Sequence, residues 1–294
     1  MMVYLFEFYA VEALFFILNL IPLPLSGWVI TRVGDLYYYV SSKRRNIAFA
    51  NLTIAYGDTL SADRKRRIAR KCFESSALSI LELFLIKKIK KNAPGRFTTT
   101  GKQYYEEALS RGKGVIFVAS HLGAWEYIAF AGHLSQVPHG VIVKKIKNTY
   151  LDKMIDRLRR EIDTVPIPKV NAIRQTLVEL HKNFTVAVVI DQWDGSDGMW
   201  IDFFGKITST TSLPARLSKK TGCALIPIYC LRKKVGQYDI QVLPEVPLSN
   251  GPNWEPETTR RLNEILESKI REYPEQWSWG HRRWKQKPLT NRTA

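Results

Sequence analysis

A histidine and a glutamate lie five positions apart in the segment 120–128, "SHLGAWEYI", directly after an apolar run. A glutamate that accepts the hydrogen of one imidazole nitrogen fixes the tautomer, and the other nitrogen can then take a proton from a hydroxyl. His121 and Glu126 are therefore candidates for a general base and its orienting carboxylate. The alternative is a helix start, with Glu126 a solvated acid of the first turn, and these residues alone favour neither interpretation.

Helical geometry limits how this pair can meet. Successive residues of an α-helix are ~100° apart, so positions five apart lie about 140° around the axis. His121 and Glu126 can meet if His121 lies in a loop between strand and helix, and if Gly123 lets the chain turn back. The segment therefore predicts a strand, a tight turn carrying His121, and a helix.

The signatures of several other enzyme classes are missing from the sequence. It contains no G-x-S-x-G elbow, no P-loop, no G-x-G-x-x-G and no H-E-x-x-H. The aspartates of the segment 191–197 lack the spacing of an EF-hand, so we expect no metal site there. Cys72, Cys223 and Cys230 have neither zinc-type spacing nor a neighbouring histidine. Direct attack by an activated hydroxyl is therefore favoured over a covalent enzyme intermediate.

Composition indicates a globular protein with anionic partners. Of the 294 residues, 45% are hydrophobic and 24% are charged, which excludes global disorder. The net charge of +17 favours nucleic acid, an anionic membrane surface or phosphorylated substrates, and does not choose among them. Three cysteines are too few for a disulfide framework and favour a reducing, cytosol-facing compartment.

The first 30 residues are apolar almost throughout and lack the basic start of a secretory signal peptide. Their length approaches the ~20 residues that span a bilayer, but two glutamates and two prolines interrupt them. They predict a membrane anchor, either spanning or lying in the interface; the alternative is a first helix packed on the domain. The basic residues 43–45 suit an anionic cytoplasmic leaflet.

Beyond this segment, apolar runs and helical periods alternate. Helices are expected at 61–91, 102–112, 149–162, 172–183, 213–222 and 255–273, and strands at 115–119, 139–145, 185–191, 223–232 and, edge-like, 238–246. The alternation predicts one α/β domain with a mixed, mostly parallel sheet flanked by helices. The one boundary that we predict divides residues 1–30 from 31–294.

Polar clusters follow two of these strands, "SHLGAWE" after 115–119 and "DQWDGSDG" after 185–190. Active sites of α/β sheets gather where strands end and loops begin. The sequence therefore predicts the site at that edge of the sheet.

Four ordered blocks of the sequence resemble one enzyme family. They are "GKGVIFVASHLGAWE", with its HxxxxE motif, the basic segment 143–162, the segment 188–229 and the closing "PEQWSWGHRRWK". Together they are similar to the late acyltransferases of lipid A biosynthesis (lauroyl and myristoyl transferases), within the glycerolipid and lysophospholipid acyltransferase superfamily. The resemblance covers nearly the whole chain.

The resemblance implies transfer of a fatty acyl group from an acyl-carrier-protein or CoA thioester to a hydroxyl of a lipid A precursor or related glycolipid. It implies the fold of the glycerolipid acyltransferases, with His121 as general base and Glu126 as its orienting partner. The resemblance also implies that Arg159 binds phosphate or stabilises developing charge, with Arg157 and Arg160 as alternatives in register. It implies Asp191 as a second polar residue beside the site.

The expected partners are an acyl carrier protein, a glycolipid acceptor and an anionic membrane surface, at the cytoplasmic face of the inner membrane. No cofactor besides the donor thioester, no metal and no nucleic acid are expected. Three alternatives stay open: an acceptor such as a phosphatidylinositol mannoside, a thioesterase-like hydrolase, and a non-catalytic basic protein that binds anionic membrane or nucleic acid.

Two aromatic clusters have more than one interpretation. Trp277, Trp279 and Trp284 interleave with basic residues, which is typical of a nucleic-acid surface, a membrane-interface belt or a packing segment; we favour the belt. The aromatic residues of the segment 199–205 would line an acyl-chain tunnel or belong to the core.

Overall fold

The computed structural model describes residues 2–137 and 139–285. The end of the predicted domain, 286–294, lies outside the described residues. Helices form the first third of the chain: α1 (Met2–Leu20), α2 (Leu23–Val40), α3 (Ser42–Tyr56), α4 (Ala62–Phe84) and α5 (Ile86–Lys90).

The start of α2 and the start of α4 follow from local sequence. Pro22 and Pro24 flank the first residue of α2, where a proline's missing N–H leaves no helical hydrogen bond unmade. The Ser61 hydroxyl caps α4 by accepting from the backbone N–H of Arg64 at 3.3 Å. α4 ends at Phe84, so the helix predicted over 61–91 is divided in two.

A mostly parallel sheet follows, with helices between its strands, so the predicted fold class is confirmed. In the described part of the chain seven strands form this sheet in the order β1-β9-β8-β2-β5-β3-β4, and only β8 and β9 are antiparallel neighbours. Its strands are β1 (Phe97–Thr100), β2 (Val115–Ala119), β3 (His139–Val143), β4 (Thr164–Pro168), β5 (Thr185–Val189), β8 (Ala224–Lys234) and β9 (Gln237–Val242). A separate hairpin consists of β6 (Met199–Phe203) and β7 (Lys206–Thr210).

The connecting helices cover both faces of the sheet. They are α6 (Lys102–Ser110), α7 (Phe130–Ser135), α8 (Thr149–Arg160), α9 (Ala172–Leu180), α10 (Leu213–Thr221) and α11 (Trp254–Glu272). Strand β2 lies at the centre and is buried along its whole length. Phe117 packs into the apolar cluster on one face, while Ile116 and Val118 pack into the cluster on the other, as the two-residue period of a strand requires.

The strands that the sequence did not predict are the two edges and the hairpin. β4 contains Pro166 and Pro168, which a sheet tolerates at an edge because an edge strand leaves N–H positions unpaired. β1 is polar and exposed beyond Phe97. Because β1 pairs with β9, the expectation that 238–246 is an edge strand is wrong.

Among the described residues, one helix, α1, is long and apolar enough to cross a membrane. Most of its side chains are exposed, and Phe15 and Leu18 are the buried ones. α2 runs through residue 30, and the division into 1–30 and 31–294 stays a prediction.

Candidate active site

The two polar clusters meet at one edge of the sheet. β2 and β5 are adjacent and parallel, with Ala119 opposite Val189. His121 therefore follows one strand and Asp191 the other at neighbouring carboxyl ends, where the sequence placed the site.

Asp191 is the carboxylate that holds His121. Its Oδ1 lies 2.8 Å from His121 Nδ1, and its Oδ2 accepts the backbone N–H of His121 at 2.9 Å. The indole N–H of Trp277 donates to the same Oδ2 at 2.7 Å. Asp191 is 3% exposed, so these hydrogen bonds compensate a buried charge. Nδ1 thus carries the hydrogen, and Nε2 is the nitrogen that can accept a proton.

Glu126 has a different partner from the one that the sequence predicted. It accepts two hydrogen bonds from Arg159, at 2.8 Å from Nη2 and 3.1 Å from Nε, and no hydrogen bond joins it to His121 in this described region. The expectation that Glu126 accepts the hydrogen of His121 is wrong, because Asp191 lies at His121 Nδ1 and Glu126 is bound to Arg159. The chain after Gly123 forms a 3₁₀ turn, Trp125–Ala129, before α7 begins at Phe130, and from this turn Glu126 reaches across to α8. Its catalytic role stays a prediction.

Arg159 is the arginine of α8 that lies at the site. Its side chain is 17% exposed, and its Nη1 lies 3.6 Å from Asp156. Arg157 and Arg160 are exposed on the same helix, so neither register alternative reaches the pair. Asp163, just beyond the helix, has a left-handed φ of 59°.

Gly123 makes the turn that carries His121. Its φ is 68°, its N–H donates to the carbonyl of Gln276 at 3.1 Å, and Ala124 N–H donates to the carbonyl of Cys230 at 2.8 Å. A Cβ at this position would overlap the Cys230 carbonyl oxygen. The turn that the sequence predicted at Gly123 is therefore present, pressed against β8.

Electrostatics favour a strong base. Burial lowers the pKa of His121, but the charge and hydrogen bond of Asp191, with a smaller contribution from Glu126, outweigh it and hold that pKa above 6.5. For Asp191, burial raises the pKa, yet His121 and the hydrogen bonds lower it below 3.8. The pair is arranged to stabilise an imidazolium.

Gln192 lies on the open side of the imidazole. Its amide nitrogen is 3.3 Å from His121 Nε2, and its backbone carbonyl accepts from Nη1 of the buried Arg283 at 3.0 Å. The same amide nitrogen is 3.4 Å from His121 Nδ1, so it lies against the face of the imidazole ring.

An apolar cavity of about 190 Å³ begins at His121. It follows the sheet face between β2, β3 and β5, with Glu126 and Arg159 beside its mouth, and reaches His139, Thr164 and Thr185. Those polar side chains are satisfied locally: His139 Nε2 lies 2.8 Å from Thr164 Oγ1, and Thr185 Oγ1 lies 2.8 Å from the Tyr105 hydroxyl. The cavity can hold a hydrocarbon chain with its reactive end at the histidine.

The three aspartates of the segment 191–197 have separate partners. Asp191 binds His121, Asp194 lies 3.4 Å from Lys169 Nζ, and Asp197 accepts from the Ser196 hydroxyl at 3.2 Å. Within the described chain, no group of three or more histidines, cysteines or carboxylates could hold a metal.

The closing segment is a packing element. Trp277 and Trp279 are buried, and Arg283 is fully buried against Ser209, Thr210 and Gln192, so the interpretation of a membrane-interface belt is wrong for these residues. Sequence reasoning missed Trp277 and Arg283 as supports of the site. A buried indole or guanidinium needs hydrogen-bond partners, but the burial of these two side chains becomes known only from the fold.

The aromatic residues of 199–205 also belong to the core. Phe203 and Phe204 are buried with Trp277 and Trp279, and neither lines the cavity at His121. The core interpretation is correct for these two rings.

Comparisons with known proteins identify the family and relatives of this chain. Residues 1–286 match the family model for bacterial lipid A biosynthesis acyltransferases. A lipid A biosynthesis acyltransferase of Haemophilus influenzae is 23% identical over 271 residues, covering 90% of this chain and 84% of that protein. A lipid A biosynthesis palmitoleoyltransferase of Escherichia coli is 25% identical over 277 residues, covering 92% and 88%. A phosphatidylinositol mannoside acyltransferase of Mycolicibacterium smegmatis is 25% identical over 181 residues, covering 60% and 59%.

The family match extends from α1 to the closing segment and contains His121, Glu126, Arg159 and Asp191. The four blocks that suggested the resemblance are thus parts of one continuous match. This chain belongs to the bacterial lipid A biosynthesis acyltransferase family.

Proposed function

We propose that this protein transfers a fatty acyl group from an acyl-carrier-protein or CoA thioester to a hydroxyl of a lipid A precursor or related glycolipid. Membership of a family of lipid-acylating enzymes supports the reaction class. The observation that carries the mechanism is the His121–Asp191 pair at the mouth of an apolar cavity.

His121 acts as the general base. Its Nε2 takes the proton of the acceptor hydroxyl while the hydroxyl oxygen forms a bond to the thioester carbonyl carbon. The tetrahedral intermediate collapses with cleavage of the carbon–sulfur bond, and the imidazolium returns the proton to the departing thiolate. Asp191 holds the imidazole in the required tautomer and stabilises its positive charge throughout.

Arg159 supplies positive charge beside the reacting carbonyl. Its Nε and Nη2 are held by Glu126, which orients the guanidinium and leaves Nη1 toward Asp156 and the cavity. A preorganised guanidinium can stabilise an oxyanion or bind a phosphate group. Glu126 thus acts through Arg159, in addition to its effect on the pKa of His121.

The protein works at the cytoplasmic face of a membrane. The exposed apolar helix α1 is the anchor, spanning the bilayer or lying in its interface. The net charge of +17 favours both an anionic leaflet and an anionic carrier protein.

A phosphatidylinositol mannoside is the second candidate acceptor, favoured by the similarity to the enzyme named for that lipid. Purified full-length protein, incubated with acyl-carrier-protein and acyl-CoA donors and with both acceptors, will yield an acylated lipid by mass spectrometry. His121→Ala will abolish that product.

Two results would contradict the proposal. Release of free fatty acid in the presence of acceptor would indicate a hydrolase. Salt-sensitive binding to anionic vesicles or nucleic acid, without any donor consumed, would indicate a non-catalytic basic protein.

A further inference from the structure

A second groove, with a volume of about 390 Å³, lies between α2, α4 and the closing segment. Apolar side chains and backbone form its walls, and polar groups lie at one end. Residues that define it are Gly34, Tyr37, Phe73, Ile80, Gln192 and His281.

The mouth of the groove opens into the apolar surface of the molecule. Val33 and Tyr37 on α2 are each 51% exposed, and Ile80 on α4 is 55% exposed. Most of the large exposed apolar side chains in the described chain belong to α1 and α2. A contiguous apolar surface of this kind marks contact with a membrane or a partner.

One end of the groove is polar. Arg44 lines it and donates to the carbonyl of Gly280 at 3.0 Å. Nδ1 of His281 is buried and has no hydrogen-bond partner among the described residues. Burial lowers the pKa of His281 to about 4, so its imidazole is neutral near pH 7. A cation and an unsatisfied polar group suit an anionic, hydroxylated headgroup.

The groove reaches Gln192, the side chain that lies against the catalytic base. Gln192 lines it, and the amide nitrogen of that side chain lies 3.3 Å from His121 Nε2. The same nitrogen is 3.4 Å from Nδ1, so Gln192 lies against the ring face and separates the groove from the imidazole; a hydroxyl that displaced this side chain would enter beside His121. The apolar cavity that begins at His121 shares no lining residue with this groove, which leaves that cavity for the donor chain.

We propose that this groove binds the membrane-resident acceptor lipid. The acceptor's acyl chains lie between α2 and α4, and its anionic headgroup passes Arg44 and His281 to place a hydroxyl at His121. The inference rests on the proposed function and adds the site and the direction of entry, sideways from the bilayer.

Charge supports a lipid as the occupant. Arg44 lines the groove and its neighbour Lys43 is exposed, so anionic headgroups would meet positive charge at an apolar opening. Each basic residue near an anionic leaflet contributes ~1 kcal/mol to attraction.

The test places a larger side chain at exposed positions on either side of the groove opening. The test is made in mixed micelles that contain an acceptor glycolipid. There, Ile80→Trp will raise the KM for the acceptor about tenfold, because the indole displaces the acceptor chain from the groove. A tenfold change corresponds to roughly one or two methylenes of that chain that are no longer buried. Val33→Trp, on α2 across the opening from Ile80, will also raise the KM for the acceptor about tenfold. The KM for the thioester donor will stay unchanged in both variants.

Ile207→Trp is the matched control, because Ile207 is 59% exposed but lies on β7, outside the groove. It will leave both KM values unchanged. An unchanged acceptor KM in Ile80→Trp and Val33→Trp, with wild-type transfer intact, would overturn the groove assignment alone. Absence of any acyl transfer by the wild type would overturn the proposed function and this inference with it.

Discussion

At the scale of the residue, the central feature is which carboxylate holds His121. The sequence offers Glu126 five positions away, whereas the fold supplies Asp191 from a neighbouring strand, 70 positions away. Asp191 can do this because parallel strands β2 and β5 end side by side. Glu126 instead forms a two-point ion pair with Arg159, and His121, Glu126 and Arg159 all line one cavity.

Arg159 tests the second of these pairs. Arg159→Ala will lower kcat/KM by roughly 10²–10³, because a preorganised donor beside the developing charge is lost. Arg159→Lys will not restore the rate, since an ammonium cannot make the two-point contact with Glu126. Single-turnover rates with a thioester donor measure both.

Arg157→Ala provides the control for that series, because Arg157 is exposed on the same helix. It will keep a near-wild-type rate. Equal losses in Arg157→Ala and Arg159→Ala would mean that the helix contributes general charge and that the pair with Glu126 has no specific role.

Gly123 tests the turn below His121. Gly123→Ala combines a left-handed φ with an overlap on the Cys230 carbonyl, so the free energy of unfolding will fall by about 1–3 kcal/mol and activity will drop. Gly112→Ala has nearly the same φ, 67°, but open space at its Cβ. Denaturant melts will show the smaller loss for Gly112→Ala, and equal losses would assign the effect to φ alone.

At the scale of the element, α4 and β8 hold the catalytic turn through a buried ion pair. Arg232 of β8 binds Glu82 of α4 through Nε and Nη2, both at 2.5 Å, and both side chains are almost fully buried. The Ser79 hydroxyl, which accepts from Arg232, donates to the carbonyl of Gly123 at 2.8 Å. The position of His121 therefore depends on helix–strand packing outside the site.

Breaking this pair will destabilise the fold. Glu82→Gln leaves a buried guanidinium without its counter-charge and will lower the free energy of unfolding by about 3–5 kcal/mol. Glu106→Gln, which removes the exposed pair with Lys102, will cost at most about 1 kcal/mol. Thermal unfolding of the two variants measures the contrast; similar Tm values would contradict the account of the buried pair.

The same scale explains which elements the sequence predicted. Central strands such as β2 and β5 are continuous apolar runs, which are recognisable because both faces are buried. The edges β1 and β4 carry threonines or prolines, so their membership of the sheet depends on the neighbour that they meet. The sequence pattern of a segment does not show which strand it will pair with.

At the scale of the whole molecule, composition predicted the surface better than the site. The apolar start and the basic excess reappear as exposed faces of α1 and α2 with basic residues beside them. His121, Arg159 and Asp191 were predicted as site residues because they belong to recognisable blocks. Their pairing, and the supporting roles of Trp277 and Arg283, required the distant strands to be placed together.

The exposed face of α2 tests membrane attachment. Trp28 is 62% exposed, and Trp28→Glu will weaken co-sedimentation of the full chain with anionic vesicles, because an apolar contact is replaced by a charge of the wrong sign. Ile207→Glu, at a similarly exposed site on β7, will have no such effect. If Trp28→Glu and Ile207→Glu weakened vesicle binding equally, the binding would depend on net charge and not on the face of α2.

The most direct test of the account is the pH dependence of kcat/KM in Asp191→Asn and Glu126→Gln. The base must be neutral, so the rate rises with pH through the pKa of His121, which Asp191 holds above 6.5. Asp191→Asn will move that rise to lower pH and reduce the plateau by roughly 10³–10⁴, because the imidazole loses its negative partner and preferred tautomer. Glu126→Gln will shift the rise less. A larger shift in Glu126→Gln, with Asp191→Asn unchanged, would contradict the assignment of Asp191 as the partner of His121.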